Sequence, residues 1–411
     1  MNAQTKIIKS PFQKPDAHGA LAMPVYYSAA FEFPSAKAMS DAFCGRSPSH
    51  SYSRISNPTV AFLEDRVKTV TGALSVTALT SGMAAISYSL LAVSAAGLNI
   101  VASKHLFGNS VSLMRDTLGG LGVEVRFVDF RDINEVAAAI DDKTCAVFFE
   151  IITNPQLFVT DIRAVARLAH DASVPVIADT TIIPFTEFSS RELGVDIEVV
   201  SSTKYVSGGG TGLGGLLIDN GIFDWSKSHT PALKSLASKV SGRLALTARV
   251  KTELLTNVGA IMTPQVAYME TLGLEALSLR YRQQSQSAFF LAQHCQSLPG
   301  ISRVNYAALD GNPYKELVES QFHSLPGAVF TIDVASPEAA FSFIDHLSVI
   351  HRATNLFDNR SLAIHPSSTI FGRFTPAQRE AMGVLDTTIR LSIGLEDPQD
   401  LLADIAQALN A

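Results

Sequence analysis

The chain has 411 residues, of which 47% are hydrophobic and 17% are charged, and its net charge is −6 at neutral pH. This length allows two or three domains with a sizeable core, and the composition excludes a disordered chain. The acidic balance implies no nucleic-acid partner and no membrane-surface partner.

The pattern along the chain predicts an irregular start followed by alternating strands and helices. Residues 1–60 are rich in Pro, Ser and aromatic residues without clear helical periodicity, which indicates an extended N-terminal arm. Apolar runs then predict strands at 74–79, 99–102, 123–128, 146–150, 174–179, 197–201 and 215–219. Amphipathic stretches predict helices at 83–93, 110–118, 132–140 and 161–171. Such alternation predicts an α/β fold with a mostly parallel sheet covered on both faces.

Near residue 260 the pattern changes to a long helical stretch, 263–297, followed by mixed elements. A second, smaller α+β domain is expected there. We therefore expect an arm over 1–60, an α/β domain over 61–258 and a C-terminal α+β domain over 259–411.

The cysteines and the start of the chain bear on its location. Cys44, Cys145 and Cys295 lie far apart without a CxxC pair, which argues against a disulfide framework or a zinc site. No apolar run is long enough for a signal peptide or a membrane-spanning helix. These features predict a cytoplasmic protein without a metal or a membrane partner.

A lysine at the end of a predicted strand is the strongest candidate for chemistry. Ser201-Ser202-Thr203-Lys204 follows the apolar run 197–200 and precedes a glycine-dense stretch at 208–215. A partly desolvated lysine flanked by hydroxyls suits a nucleophilic amine, used mainly as a Schiff base to pyridoxal phosphate (PLP) or to a carbonyl substrate. A solvated surface charge is the alternative.

Two other strand ends carry suggestive groups. Thr80-Ser81-Gly82-Met83 opens a predicted helix and could hold a phosphate, although an ordinary capped turn is the alternative. Asp179 needs a cation or hydrogen-bond donors, which a protonated pyridine nitrogen, an Arg or a helix N-terminus would supply. The string Gly210-x-Gly212-x-x-Gly215 matches the dinucleotide fingerprint, but a strand follows it where the fingerprint needs a helix.

From about Gly19 to its C-terminus the chain resembles the Cys/Met-metabolism PLP-dependent enzymes. The motifs that carry the resemblance are Tyr52-Ser53-Arg54, Asn154-Pro155, Ser201-Ser202-Thr203-Lys204 and Ile389-Arg390-Leu391-Ser392. It implies the aspartate aminotransferase-like fold, type I of the PLP-dependent transferases. Without the family these residues would be read as loop residues, a turn and a strand-edge charge.

The resemblance also assigns roles to individual residues. Lys204 would carry pyridoxal 5′-phosphate and act as the catalytic base. The implied cofactor-binding residues are Tyr52, Arg54, Gly82, Met83, Phe107, Asn154, Asp179, Ser201, Thr203 and Lys204. Among them, Asp179 would pair with the pyridine nitrogen, and Tyr52 and Arg54 would reach the phosphate of a neighbouring subunit. Arg390 would bind the substrate α-carboxylate, with Ser361 lining the same pocket.

Several segments resemble the sulfhydrylase branch of the family. They are Gly221-Ile222-Phe223-Asp224-Trp225, a long insertion before residues 257–260, and Gly273-Leu274-Glu275-Ala276-Leu277. They imply γ-replacement on an O-acylhomoserine (O-acetylhomoserine sulfhydrylase-like) with a small sulfur donor, forming homocysteine or methionine. Because Tyr52 and Arg54 would complete the site of a neighbouring subunit, the resemblance also implies a homo-oligomer, at least a dimer and by expectation a tetramer.

Two departures from the family pattern affect the chemistry. Phe107 stands where the family usually has a tyrosine, so it can stack on the cofactor but lacks a phenol for general acid help. Ile370-Phe371 replaces a more polar pair, which predicts an apolar pocket rim. A PLP-dependent γ- or β-lyase and a non-catalytic PLP-fold protein remain alternatives.

Overall fold

A computed structural model describes residues 1–10, 18–323 and 325–410. In this part of the chain the larger sheet has seven strands in the order β1-β7-β6-β5-β4-β2-β3. Strand β7 is antiparallel to both neighbours, and the other pairs are parallel. The strands are β1 (Ser75–Leu79), β2 (Asn99–Ser103), β3 (Glu124–Val128), β4 (Thr144–Glu150), β5 (Val176–Asp179), β6 (Ile197–Val200) and β7 (Gly215–Asp219).

A smaller sheet follows in the C-terminal part of the chain. Within the described residues it has five strands in the order β10-β11-β12-β9-β8, and it is antiparallel except for the β10–β11 pair. The strands are β8 (Arg303–Asn305), β9 (Val329–Asp333), β10 (His351–Arg352), β11 (Leu362–Ile364) and β12 (Thr388–Ser392).

Helices connect these strands and cover the sheets. They are α1 (Ala3–Lys9), α2 (Ala36–Phe43), α3 (Pro58–Thr71), α4 (Gly82–Val93), α5 (Gly108–Ser112), α6 (Ile133–Ala139), α7 (Ile162–Asp171), α8 (Pro231–Ala237), α9 (Ala245–Arg249), α10 (Thr256–Val258), α11 (Pro264–Glu275), α12 (Leu277–Cys295), α13 (Lys315–Phe322), α14 (Pro337–His346), α15 (Pro376–Ala381) and α16 (Pro398–Leu409). Helices α5 and α9 continue as π-helical segments, Leu113–Leu118 and Val250–Leu255. None of the helices in these residues has the length and apolarity to span a bilayer.

Six strands of the larger sheet are almost entirely buried, as their apolar sequences predict, whereas the edge strand β3 is partly exposed. Side chains alternate along β4, so Phe148 packs into the core beside α4, whereas Val147 and Phe149 pack into the core beside α3 and α7. Each of these side chains is fully buried, and burial of one such side chain is worth about 1.5–3 kcal/mol. The predicted α/β class and mostly parallel sheet are confirmed, and the predicted strands and helices between residues 74 and 219 agree with the structure to within two residues. The domain boundaries at residues 60 and 258 stay predictions.

Two predictions about helices differ from the structure. Residues 1–60 contain α1 and α2, because Asn2 and Ser35 cap helices too short to show a clear period. The stretch 263–297 is divided at Ala276 into α11 and α12. A side chain at Gly273 would place its Cβ 2.1 Å from the Val206 carbonyl oxygen, so the end of α11 packs directly on the loop that follows Lys204.

Candidate active site

Ligands of parallel α/β sheets bind at the carboxyl ends of the strands, and a cavity of about 300 Å³ lies at that edge here. It is reached by the chain segments that follow β1, β4, β5 and β6 and by parts of the smaller sheet. Its lining residues are Ser81, Gly82, Met83, Ile86, Phe107, Ser110, Asn154, Asp179, Thr181, Ile182, Ser201, Thr203, Lys204, Leu213, Thr354, Leu356, Ile370 and Arg390.

One side of the cavity has the features of an anion site. Ser81 caps α4 by accepting the Ala84 N–H at 3.1 Å, and Gly82 is the first residue of that helix. A Cβ at Gly82 would lie 2.7 Å from the Ser201 Cβ, so only glycine allows the two chain segments to come this close. The helix N-terminus and the neighbouring hydroxyls together suit a phosphate.

Lys204 is a partly buried amine that lines the cavity. Its Nζ donates a hydrogen bond to the Asn355 Oδ1 at 2.8 Å. Burial, and then the positive charge of Arg390, lower the pKa of Lys204 to about 8, while Asp179 and Asp358 act in the opposite direction. At this pKa roughly one Lys204 amine in ten is neutral at pH 7, against fewer than about one in a thousand for an ordinary lysine.

The lowered pKa predicts how fast Lys204 reacts with an amine-directed reagent. In the apoprotein, acetylation of Lys204 by acetic anhydride, measured by peptide mass spectrometry, should rise with pH through a midpoint near 8. Only the neutral amine attacks, and an ordinary lysine reaches its midpoint at about 10.4. Asp179→Asn should lower the midpoint further, because the Asp179 carboxylate stabilises the ammonium form. A midpoint for Lys204 above pH 10 would contradict this geometry.

Asp179 and Arg390 supply opposite charges to the cavity. The Asp179 Oδ1 accepts the Thr181 N–H at 2.9 Å, and burial raises the pKa of Asp179 while Thr181 and Lys204 lower it. Arg390 lies on β12, and its Nη1 donates to the Asn154 Oδ1 at 3.1 Å. Burial lowers the pKa of Arg390 to about 9, which leaves the guanidinium charged at neutral pH.

These residues fit pyridoxal 5′-phosphate. The anion site around Gly82 suits the phosphate, the buried Asp179 carboxylate suits a protonated ring nitrogen, and Lys204 suits the aldehyde carbon. The Arg390 Nε is buried without a hydrogen-bond partner, so the guanidinium has a donor to spare for a bound carboxylate. The predicted cofactor residues Gly82, Met83, Phe107, Asn154, Asp179, Ser201 and Thr203 meet in one cavity together with Lys204.

Three predicted residues lie elsewhere. Ser361 does not line the cavity, because its fully buried hydroxyl donates to Glu396 at 2.8 Å and accepts the Gly394 N–H. Tyr52 and Arg54 lie on the arm, where the guanidinium stacks over the Tyr52 ring and Arg54 also donates to the Thr256 carbonyl. Their contribution to a neighbouring subunit stays a prediction.

Thr181 and Asn355 are site residues that the sequence reasoning missed. Thr181 lies two residues after Asp179, which is where an Asx turn places its N–H donor, so local turn chemistry could have identified it. Asn355 is 151 residues from Lys204 and precedes no recognisable motif, and only the packing of the smaller sheet brings it to the cavity.

Comparisons with known proteins agree with this geometry. A family model described as Cys/Met metabolism PLP-dependent enzyme matches residues 4–410. The O-acetyl-L-homoserine sulfhydrylase of Corynebacterium glutamicum is 35% identical, over 93% of this chain and 91% of the relative. The L-methionine gamma-lyase of Pseudomonas putida is 33% identical, over 99% and 97%.

Among solved structures, a Campylobacter jejuni protein described as a putative O-acetylhomoserine (thiol)-lyase superposes with a TM-score of 0.95. It is 31% identical, covers 100% of both chains and contains a pyridoxyl-lysine phosphate. The likeness confirms the predicted type I fold.

Proposed function

The chain belongs to the Cys/Met metabolism PLP-dependent enzymes, and we propose that it replaces the acetyloxy group of O-acetylhomoserine by sulfide. The Cγ–O bond breaks and its electron pair leaves on acetate, while a Cγ–S bond forms and homocysteine results. The name of the 35% identical relative and that of the C. jejuni structure support the substrate. Methanethiol in place of sulfide would give methionine at the same carbon.

The site supports a division of roles among its residues. When bound, PLP supplies an electron sink next to the substrate Cα. Lys204, which we propose as the residue that carries the cofactor, takes the Cα proton and returns it. Asp179 would stabilise a positive charge at the ring nitrogen of the bound cofactor, and Phe107 would stack on its ring. Arg390 binds the α-carboxylate and so fixes the direction of the Cα–H bond.

The absence of a phenol at Phe107 is the observation that favours an acyl substrate. Among the described residues that line the cavity, Asp179, Lys204 and Arg390 are the ionisable ones, and none of the lining residues is a tyrosine. Acetate is a stable anion because carboxyl pKa values lie near 4, so it leaves without a proton. A thiolate leaving group, as in γ-elimination from methionine, is far more basic and gains more from a general acid. The lyase alternative, which the 33% identical relative keeps open, is therefore the weaker one.

The experiment that tests this function compares products with and without sulfide. With O-acetylhomoserine and sulfide, we expect homocysteine to form at a rate at least tenfold above that of 2-oxobutanoate. With methionine, release of methanethiol should be slower than turnover of O-acetylhomoserine by about a hundredfold or more. Equal rates of 2-oxobutanoate and ammonia with and without sulfide would contradict replacement and favour a lyase.

Phe107→Tyr is a matched control, because it adds one hydroxyl to the same ring. It should accelerate elimination from methionine and leave turnover of O-acetylhomoserine within about threefold of the wild type. Equal acceleration of both reactions would show that departure of acetate also needs an acid.

We further propose a cytoplasmic homodimer that pairs into a tetramer. The arm exposes large apolar side chains, with Leu21 exposed to 99%, Tyr27 to 78% and Phe43 to 64%. Apolar surface of this kind is typical of an interface. Such an interface would bring Tyr52 and Arg54 to the phosphate of the neighbouring subunit. All three cysteines are free thiols, which suits a reducing compartment.

A further inference from the structure

Glu150 is a buried carboxyl group behind the cavity that has no role in the mechanism above. It is the last residue of β4, and it pairs in register with Asp179 at the end of the parallel strand β5. Its side chain is not among those that line the cavity.

Both oxygens of the Glu150 carboxyl group accept backbone N–H groups from site residues. The Oε1 accepts the N–H of Phe107 at 2.6 Å, and the Oε2 accepts the N–H of Asn154 at 3.2 Å. Asn154 in turn receives the Arg390 guanidinium through its side-chain oxygen at 3.1 Å. The Glu150 carboxyl group thus connects Phe107, which would stack on the cofactor, with Asn154, which is the hydrogen-bond partner of Arg390.

The surroundings of Glu150 make its ionisation unfavourable. Burial, and then the neighbouring Asp179, raise the pKa of Glu150 to about 8, while the N–H groups of Phe107 and Asn154 lower it. An apolar side chain of similar size would fill the same space without the cost of burying a carboxyl group. Its two hydrogen bonds to site residues are the compensation that the structure shows.

We propose that Glu150 is a positioning residue that fixes Phe107 over the cofactor ring and Asn154 against Arg390. It acts on ring orientation through Phe107 and on carboxylate binding through Asn154. The inference rests on the proposed function only for its kinetic readout, because the orientation of the bound cofactor does not depend on which substrate is used.

Glu150→Gln tests the inference, because an amide keeps the size but offers one acceptor to two N–H donors. In the holoenzyme, the visible circular dichroism per mole of bound cofactor should fall by about half or more. The KM for O-acetylhomoserine should rise about tenfold, as expected when one hydrogen bond is lost. Glu150→Asp keeps the carboxyl group but is one methylene shorter, so it should show the same two changes. If Glu150→Gln does not fold, Glu150→Asp alone tests the inference.

Thr160→Val is the matched control. The Thr160 hydroxyl donates to the Glu150 backbone carbonyl at 3.0 Å, so this variant disturbs the same strand end without touching the carboxyl group. It should lower Tm and leave the dichroism and KM unchanged. Glu150 variants that behave like Thr160→Val, with a lower Tm only, would overturn the inference. If the wild type fails to replace acetate but Glu150→Gln changes the dichroism, the proposed function falls and the positioning role stands.

Discussion

Replacing Lys204 by alanine is expected to lower kcat with O-acetylhomoserine by at least about 10³-fold. The variant loses both the amine that would carry the cofactor and the base that moves the Cα proton, and general base help alone is worth about 10²–10⁴-fold. Binding of the substrate carboxylate should persist, because Arg390 lies on another strand and keeps its bonds to Asn154 and to the carbonyls of Thr354 and Asn355. Steady-state rates and substrate affinity measured on the same preparation separate the two effects.

Two controls make the Lys204 result specific. Lys37→Ala removes a lysine whose side chain is 84% exposed and should leave the rate unchanged. Addition of methylamine should restore part of the activity of Lys204→Ala, because a small amine can enter the space of the lost side chain. Wild-type turnover by Lys204→Ala would exclude every role given to this residue.

Replacing Arg390 by alanine is expected to lower kcat/KM by several hundredfold, chiefly through KM. Truncating one partner of a buried charge pair costs about 2–5 kcal/mol, and the substrate carboxylate would be left in a cavity without another guanidinium among its described lining residues. Arg390→Lys should recover only part of the loss, since a lysine cannot offer two parallel N–H donors. Initial rates over a range of O-acetylhomoserine concentrations measure both parameters.

Arg352→Ala is the control for the arginine series. Arg352 lies on β10 of the same sheet, but its side chain is 57% exposed and pairs with Asp345, outside the cavity. It should change kcat/KM by less than about twofold. An unchanged KM in Arg390→Ala would show that Arg390 does not bind the substrate α-carboxylate. Arg390 could then not fix the direction of the Cα–H bond.

Strands and helices could be predicted from the sequence where burial requires apolar residues in a run or at a regular spacing. Strands β4 to β7 are almost entirely buried, so each is mainly apolar. Strands β4, β5 and β7 end at an acidic residue, and β6 is apolar except for Glu198. Helix α2 was missed because none of its residues is buried within this chain, so no buried stripe marks it. The break at Ala276 was missed because Gly273, just before it, packs on Val206, which lies 67 residues earlier in the chain.

Site residues could be predicted from the sequence where they lie at the end of a strand or belong to a motif of the family. Asp179 ends an apolar run, Lys204 closes the hydroxyl-rich segment after another, and Gly82 opens a helix, so each could be identified from its neighbours. Glu150 also ends an apolar run, but its hydrogen bond to Phe107 joins residues that no spacing connects, and the same holds for the bond between Asn355 and Lys204. The resemblance predicted that Ser361 lines the cavity. In the structure its hydroxyl donates a hydrogen bond to Glu396, and the residue does not line the cavity.

The most direct test of the account is the position of the cofactor on the chain. Reduction of the purified holoenzyme with borohydride, followed by digestion and mass spectrometry, should find the phosphopyridoxyl group on the peptide that contains Lys204 and on no other lysine. A phosphopyridoxyl group on a different lysine, or a protein that binds PLP without any reducible bond, would contradict the central role given to Lys204.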